Sequence, residues 1–149
     1  MIKYTDILKA INSKLKSKFP GVPIVSESDV KEKIVRPSFM TALDNMKASD
    51  FMGNSMDREM TARIYFFPTD RDVNKIENLE TLDSLNEIFA QGGTIEISED
   101  CIIELYGENE IDIVDKVLQY EVDIVVNDDY DTTPDTGSTE NMEDIEIDF

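Results

Sequence analysis

The sequence predicts an α+β fold: an antiparallel β-sheet with two α-helices packed on one face, plus an extended acidic C-terminal tail. Three observations predict it. Two stretches repeat apolar residues at three- and four-residue spacing, several others alternate with period two, and the order along the chain is helix, strands, helix, strands. The folded domain is expected over residues 1–127 and the extension over 128–149.

The first helix is predicted from Tyr4 to Phe19, where Ile7, Leu8, Ile11, Leu15 and Phe19 share one side. Thr5 or Asp6 is the expected cap, Lys14, Lys16 and Lys18 suit the C-terminal dipole, and Pro20-Gly21 ends it. Val22 to Ser26 has strand character, with Pro23 confining it to an edge or a strand start. Ser38 to Leu43 reads as a second strand. Glu59 to Phe67 is a stronger one, with Met60, Ala62, Ile64 and Phe66 on one face and Thr61, Arg63, Tyr65 and Phe67 on the other.

Between those two strands, Asp44 to Asp57 reads as a loop too long for a tight hairpin, holding Met46, Phe51, Met52, Gly53 and Met56. Methionine and phenylalanine in such a loop fit an adaptable contact surface, or a loop folded over its own core. The second helix is predicted from Asp72, its cap, to Gln91. Ile76, Leu79, Leu82, Leu85, Ile88 and Phe89 form its core stripe, and Gly92-Gly93 stops it.

Strands follow at Thr94–Ile97, Cys101–Tyr106, Ile111–Val114 and Val117–Asn127, the last two joined by the turn Asp115-Lys116. In the last, Leu118, Tyr120, Val122, Ile124 and Val126 alternate with polar residues, the pattern of a half-buried antiparallel strand. From Asp128 the chain turns polar and acidic, too poor in apolar residues to order itself. Its end alternates again, with Met142, Ile145, Ile147 and Phe149 among acids, a pattern able to add to an open sheet edge.

Charge is the strongest compositional signal. The 149 residues hold 33 acids, 14 bases and no histidine, for a net −19. Nucleic-acid grip is thereby disfavoured, because it rests on Lys and Arg neutralising phosphates. The balance is +4 over residues 1–36, −14 over 37–127 and −9 over 128–149. A basic face on the first helix, Lys9, Lys14, Lys16 and Lys18, is thus able to meet an acidic neighbour, or to pair within its own subunit.

Catalytic chemistry finds little to work with. One cysteine and no histidine leave no Cys/His or Ser/His/Asp system, no usual zinc site and no internal disulfide, which fits a reducing compartment. Carboxylate pairs arise by chance among so many acids. Asp129, Asp131, Thr133, Asp135, Gly137 and Glu140 match calcium-loop spacing, but Pro134 stands where the turn wants glycine. Cys101, beside Ile102 and Ile103, reads as a small core residue. The expectation is a non-enzyme with no cofactor and no metal. With no apolar run near the ~20 residues of a membrane span and no signal-peptide pattern, the chain is expected to stay in the compartment where it is made.

Taken in order, several segments resemble the tail terminator proteins of phages and prophages of Gram-positive bacteria. These are the Lys-rich first helix ending at Phe19-Pro20, Val22-Pro23-Ile24-Val25, Arg36-Pro37-Ser38-Phe39, Tyr65-Phe66-Phe67-Pro68, and Ile113-Val114-Asp115-Lys116-Val117-Leu118. Lys116 departs from the glycine more usual there, and the tail is an extension that inherits no role.

The resemblance implies a structural virion protein: a homohexameric ring on the last ring of tail tube protein, ending tube polymerisation and facing the head-tail connector or neck proteins. DNA would pass the lumen without binding, and acidic walls would repel it. Six copies at −19 each must separate their charges or pair them with the basic helix.

Within this frame Phe51, Met52 and Met56 are the expected tube contact. Met142, Ile145, Ile147 and Phe149 are expected to dock on a neighbour, including a tail sheath protein if the tail is contractile. Two other readings stand beside it: an acidic intracellular adaptor or nucleic-acid-mimic inhibitor, and a neck or connector protein.

Overall fold

A computed structural model describes residues 2–26, 35–105 and 107–130. Its elements are α1 (Tyr4–Lys18), β1 (Ser38–Phe51), β2 (Ser55–Phe67), α2 (Lys75–Phe89), β3 (Thr94–Ser98), β4 (Cys101–Glu104), β5 (Glu110–Val114) and β6 (Val117–Asp129). Four strands form one antiparallel sheet in the order β1-β2-β6-β5, while β3 and β4 form a separate two-stranded sheet. Both helices cover the same face of the larger sheet, as the sequence predicts.

Alternation decides which face that is. Met60, Ala62, Ile64 and Phe66 of β2 lie opposite Ile124, Val122, Tyr120 and Leu118 of β6, and all eight are buried. Ile7, Ile11 and Leu15 of α1 and Leu85 and Phe89 of α2 close over them, joined by Ile95 of β3. Phe39 stands at the centre of an aromatic row, its ring 4.8 Å from Phe19 and 5.1 Å from Phe66. The last strand runs to Asp129, two residues beyond its expected end.

α1 begins without Thr5 or Asp6 as its cap. Lys3 takes that position, its carbonyl accepting from the N–H of Asp6 and Ile7. The physical reason lies across the sheet: the Ile2 N–H donates to the Asp128 carboxylate at 2.7 Å, which anchors the chain just before the first turn. Val22 to Ser26 makes no strand, only a parallel bridge of Ile24 to Phe39 at the margin of β1.

α2 departs further from expectation. It starts at Lys75 rather than Asp72, because the Asp70 carboxylate accepts from the N–H of both Asp72 and Val73 and holds those residues in a turn. Those two bonds also lower the Asp70 pKa from its usual range. Its buried side is Asn78, Thr81, Leu85 and Phe89, whereas Ile76 and Leu79 of the expected stripe are exposed. Amide anchors set that roll: Asn78 donates to the Lys116 carbonyl at 3.1 Å, and Asn86 accepts from the Tyr120 hydroxyl at 2.8 Å.

Tyr120 is fully buried, and its hydroxyl also accepts from Asn109 at 3.0 Å. Burial raises its pKa above the usual value near 10. The folded state thus favours the neutral phenol, so that stabilisation is complete below about pH 10 and is lost as pH rises through the raised value. Denaturant melts should show stability falling on the alkaline side in the wild type. Tyr120→Phe should flatten that limb while costing about 1–2 kcal/mol at neutral pH; an unchanged alkaline slope would show that Tyr120 does not drive it.

Candidate functional site

The stretch expected to be a loop, Asp44 to Asp57, is a hairpin instead. β1 and β2 stay paired from Ser38↔Phe67 out to Phe51↔Ser55, with a bulge between Asp44 and Lys47. Only Met52, Gly53 and Asn54 form the turn. Gly53 at φ +76 and Met52 at φ +57 take the left-handed conformation that closes it. The Asp50 carboxylate accepts from the Gly53 N–H at 3.0 Å, and Ser55 donates to the Phe51 carbonyl at 3.2 Å. On the far side, the Tyr130 N–H donates to the Asn54 carbonyl at 3.1 Å and its hydroxyl donates to Asp50.

This frame presents apolar side chains to solvent. Met52 is 82% exposed and Phe51 49%, at the very tip, while Met56 is half-buried in β2. The three expected contact residues therefore do gather at one place, two on the tip and one behind it. Met142, Ile145, Ile147 and Phe149 lie outside the described residues, as do Asp131 and the rest of the calcium-spaced set beyond Asp129.

A buried ion pair ties the arm to the body. Arg58 is 3% exposed and meets the Asp128 carboxylate at 3.1 Å, donates to the Ile2 carbonyl at 2.8 Å, and lies 4.9 Å from the Tyr4 ring centroid. Sequence reading missed it. The visible signal was one arginine at a position where β2's alternation calls for an apolar residue.

The four expected lysines do not share a role. Lys14 turns inward: its ammonium donates to the Thr94 carbonyl and lies over Phe89, and burial lowers its pKa. Lys18 pairs with Glu87 of α2 at 2.6 Å. Lys9 and Lys16 remain exposed on the outer side of α1. Cys101 is partly exposed at the start of β4, not a core residue.

Among the described residues, the face of the sheet away from the helices is uncovered and acidic. Asp57, Glu59, Glu121 and Asp123 lie on it, with Arg63 bridging Asp44 at 2.8 Å and Glu121 at 3.2 Å. Among the described residues, no helix is long and apolar enough to cross a membrane.

The described residues thus form a one-sided sheet covered by two helices, with an apolar hairpin tip and an acidic outer face. The sequence model of the phage tail terminator protein family matches residues 6–136. The chain belongs to that family, and with it to the structural proteins that complete the phage tail. Comparison with the curated proteins gives no match.

Proposed function

We propose that the chain forms a six-membered ring that seats on the end of the tail tube, stops its growth and offers its far side to the neck. The observation that carries this reading is the β1–β2 hairpin, which exposes Phe51 and Met52 at the end of the sheet on a braced turn. A rigid strand pair tipped with a flexible, polarisable side chain suits contact with a neighbouring ring. The role needs no catalytic group and no cofactor.

The count of six comes from the family resemblance. In this arrangement the open sheet face, with Asp57, Glu59, Glu121 and Asp123, borders the DNA passage and keeps phosphates from adhering. The opposite end of the sheet, at the Asp115-Lys116 turn, is left for the connector, and the residues beyond 130 for a neighbouring subunit or a sheath protein.

The test is capping. Phe51→Ser/Met52→Ser/Met56→Ser should keep a wild-type circular dichroism spectrum and fail to limit tube length when mixed with polymerising tube protein in electron micrographs. Tubes of normal, capped length would overturn the assignment of the arm.

A further inference from the structure

Among the described residues the larger sheet has two unpaired margins, and they differ in chemistry. Among those residues β5 pairs with β6 alone, through a turn whose residues Asp115 and Lys116 stand at φ +52 and +66. This two-residue geometry makes Val114 and Val117 the closing hydrogen-bonded pair. By alternation, the backbone groups of Ile111 and Ile113 point away from β6. In the free subunit the Ile113 N–H donates to the adjacent Asp112 carboxylate at 2.9 Å, a common way to shield an edge.

The side chains on this margin are apolar towards the helices and acidic away from them. Ile111 and Ile113 lie opposite buried Tyr120 and Leu118, yet remain 42% and 43% exposed. Glu110 and Asp112 project from the open face of the same strand.

The other margin is the outer half of β1. Its inner end is occupied, because Phe39 exchanges backbone hydrogen bonds with Pro23 and Val25. From Leu43 to Asp50 no backbone partner lies on that side among the described residues, and Asn45 to Phe51 are all exposed. Lys47 stands on this strand between Asp44, which Arg63 pairs at 2.8 Å, and Asp50, which accepts from the Gly53 N–H at the turn; exposed Lys9 and Lys16 flank Asn12, which accepts from Thr41 of β1 at 2.7 Å.

We infer that these margins are the two halves of one head-to-tail interface, in which β5 of one copy pairs with the outer half of β1 of the next. The inference rests on the ring reading and names the surfaces that would build it. Strand direction permits it: β1 and β5 run oppositely in the four-stranded antiparallel sheet, so a rotated neighbour adds antiparallel. Charge favours it. Two β5 margins meeting would set Glu110 and Asp112 against their own copies, whereas the cross-pairing places them against Lys47 and buries Ile111 and Ile113. Heterologous contacts of this kind build rings where the rotation closes, not twofold dimers. Within one sheet Asp112 is level with Met40 of β1, so the pairing requires a neighbour staggered by about seven residues, past the part of β1 that Pro23 and Val25 cover; a tilted, closing sheet staggers its strands in this sense.

Site-directed cross-linking of the full chain tests this. In a Cys101→Ser background, Asp112→Cys is combined with Leu43→Cys or with Lys47→Cys to sample two registers, and a thiol-reactive linker of about 10 Å is added. Positions 112 and 47 of one chain lie on opposite margins, at least about 14 Å apart across three strand spacings, so a cross-link reports a neighbour.

A ladder of covalent multimers is expected. Asp112→Lys should weaken association about tenfold or more at low salt, with Lys47→Glu in the same chain restoring it. Multimers seen by light scattering in the presence of tube protein, with no cross-link in either register, would overturn the edge pairing and leave the ring standing. A wild-type chain that stays monomeric with tube protein would overturn both.

Discussion

Arg58→Ala should destabilise the domain by about 3–5 kcal/mol, enough to remove much of the stability of a chain this size. The guanidinium is buried at 3% exposure, and removing it strands the Asp128 carboxylate, 12% exposed, without its cation. It also frees the Ile2 carbonyl and the face of the Tyr4 ring, so the anchor at the start of α1 loosens with it. Urea melts followed by circular dichroism measure the loss. The double replacement Arg58→Met/Asp128→Leu should recover most of it, because the cost lies in the unpaired charge rather than in the missing pair. A single variant within 1 kcal/mol of wild type would show that Asp128 finds other company. Truncation has a corresponding limit: a chain ending before Asp128 should lose the same stability, whereas one ending after Tyr130 should keep it.

Phe39→Ala should cost about 3–5 kcal/mol by a different route. The ring is fully buried between Phe19 and Phe66, and the same residue exchanges backbone hydrogen bonds with Pro23 and Val25. Alanine keeps the backbone bonds and opens a void where α1's C-terminus meets the sheet. Phe39→Leu should recover roughly half of the loss, since it refills part of the volume without the aromatic contacts. Chemical denaturation of the three proteins checks the order wild type, leucine, alanine; equal midpoints would mean that the neighbours collapse into the gap.

What the sequence showed, it showed through burial. Met60 to Phe66 and Leu118 to Val126 alternate because one face of each strand meets the helices, and Ile7, Ile11 and Leu15 recur because α1 lies on that same core. The outer half of β1 gave no such sign. Asn45 to Phe51 are exposed on both faces, and their strand form comes only from hydrogen bonding to β2, a non-local cause with no period to read.

The second helix misled for the opposite reason. Its apolar residues outnumber the places in the core, and Asn78 and Asn86 choose the buried side by bonding to the Lys116 carbonyl and the Tyr120 hydroxyl. Buried amides look like surface residues in a one-dimensional pattern. The apolar side chains thereby displaced, Ile76 and Leu79, became surface features that composition could not place.

At the hairpin tip, the sequence located Phe51, Met52 and Met56 together but mistook their support. It read a pliant loop where the chain has a braced strand pair. The turn signal was present in Gly53-Asn54, between two stretches of equal reach. The lysines of α1 were legible as a group and not as individuals, because Lys14 and Lys18 are claimed by Thr94 and Glu87, residues distant in the chain.

The bond from the Tyr130 N–H to Asn54 has a practical corollary for labelling. Anything fused downstream of Tyr130 leaves the domain beside Met52, and a bulky fluorescent partner there would crowd the arm. An epitope inserted between Asp115 and Lys116 emerges at the other end of β6, roughly 40 Å away at about 3.3 Å per residue. Two gold-tagged antibodies, one for each position, would give every particle in a micrograph a head and a foot.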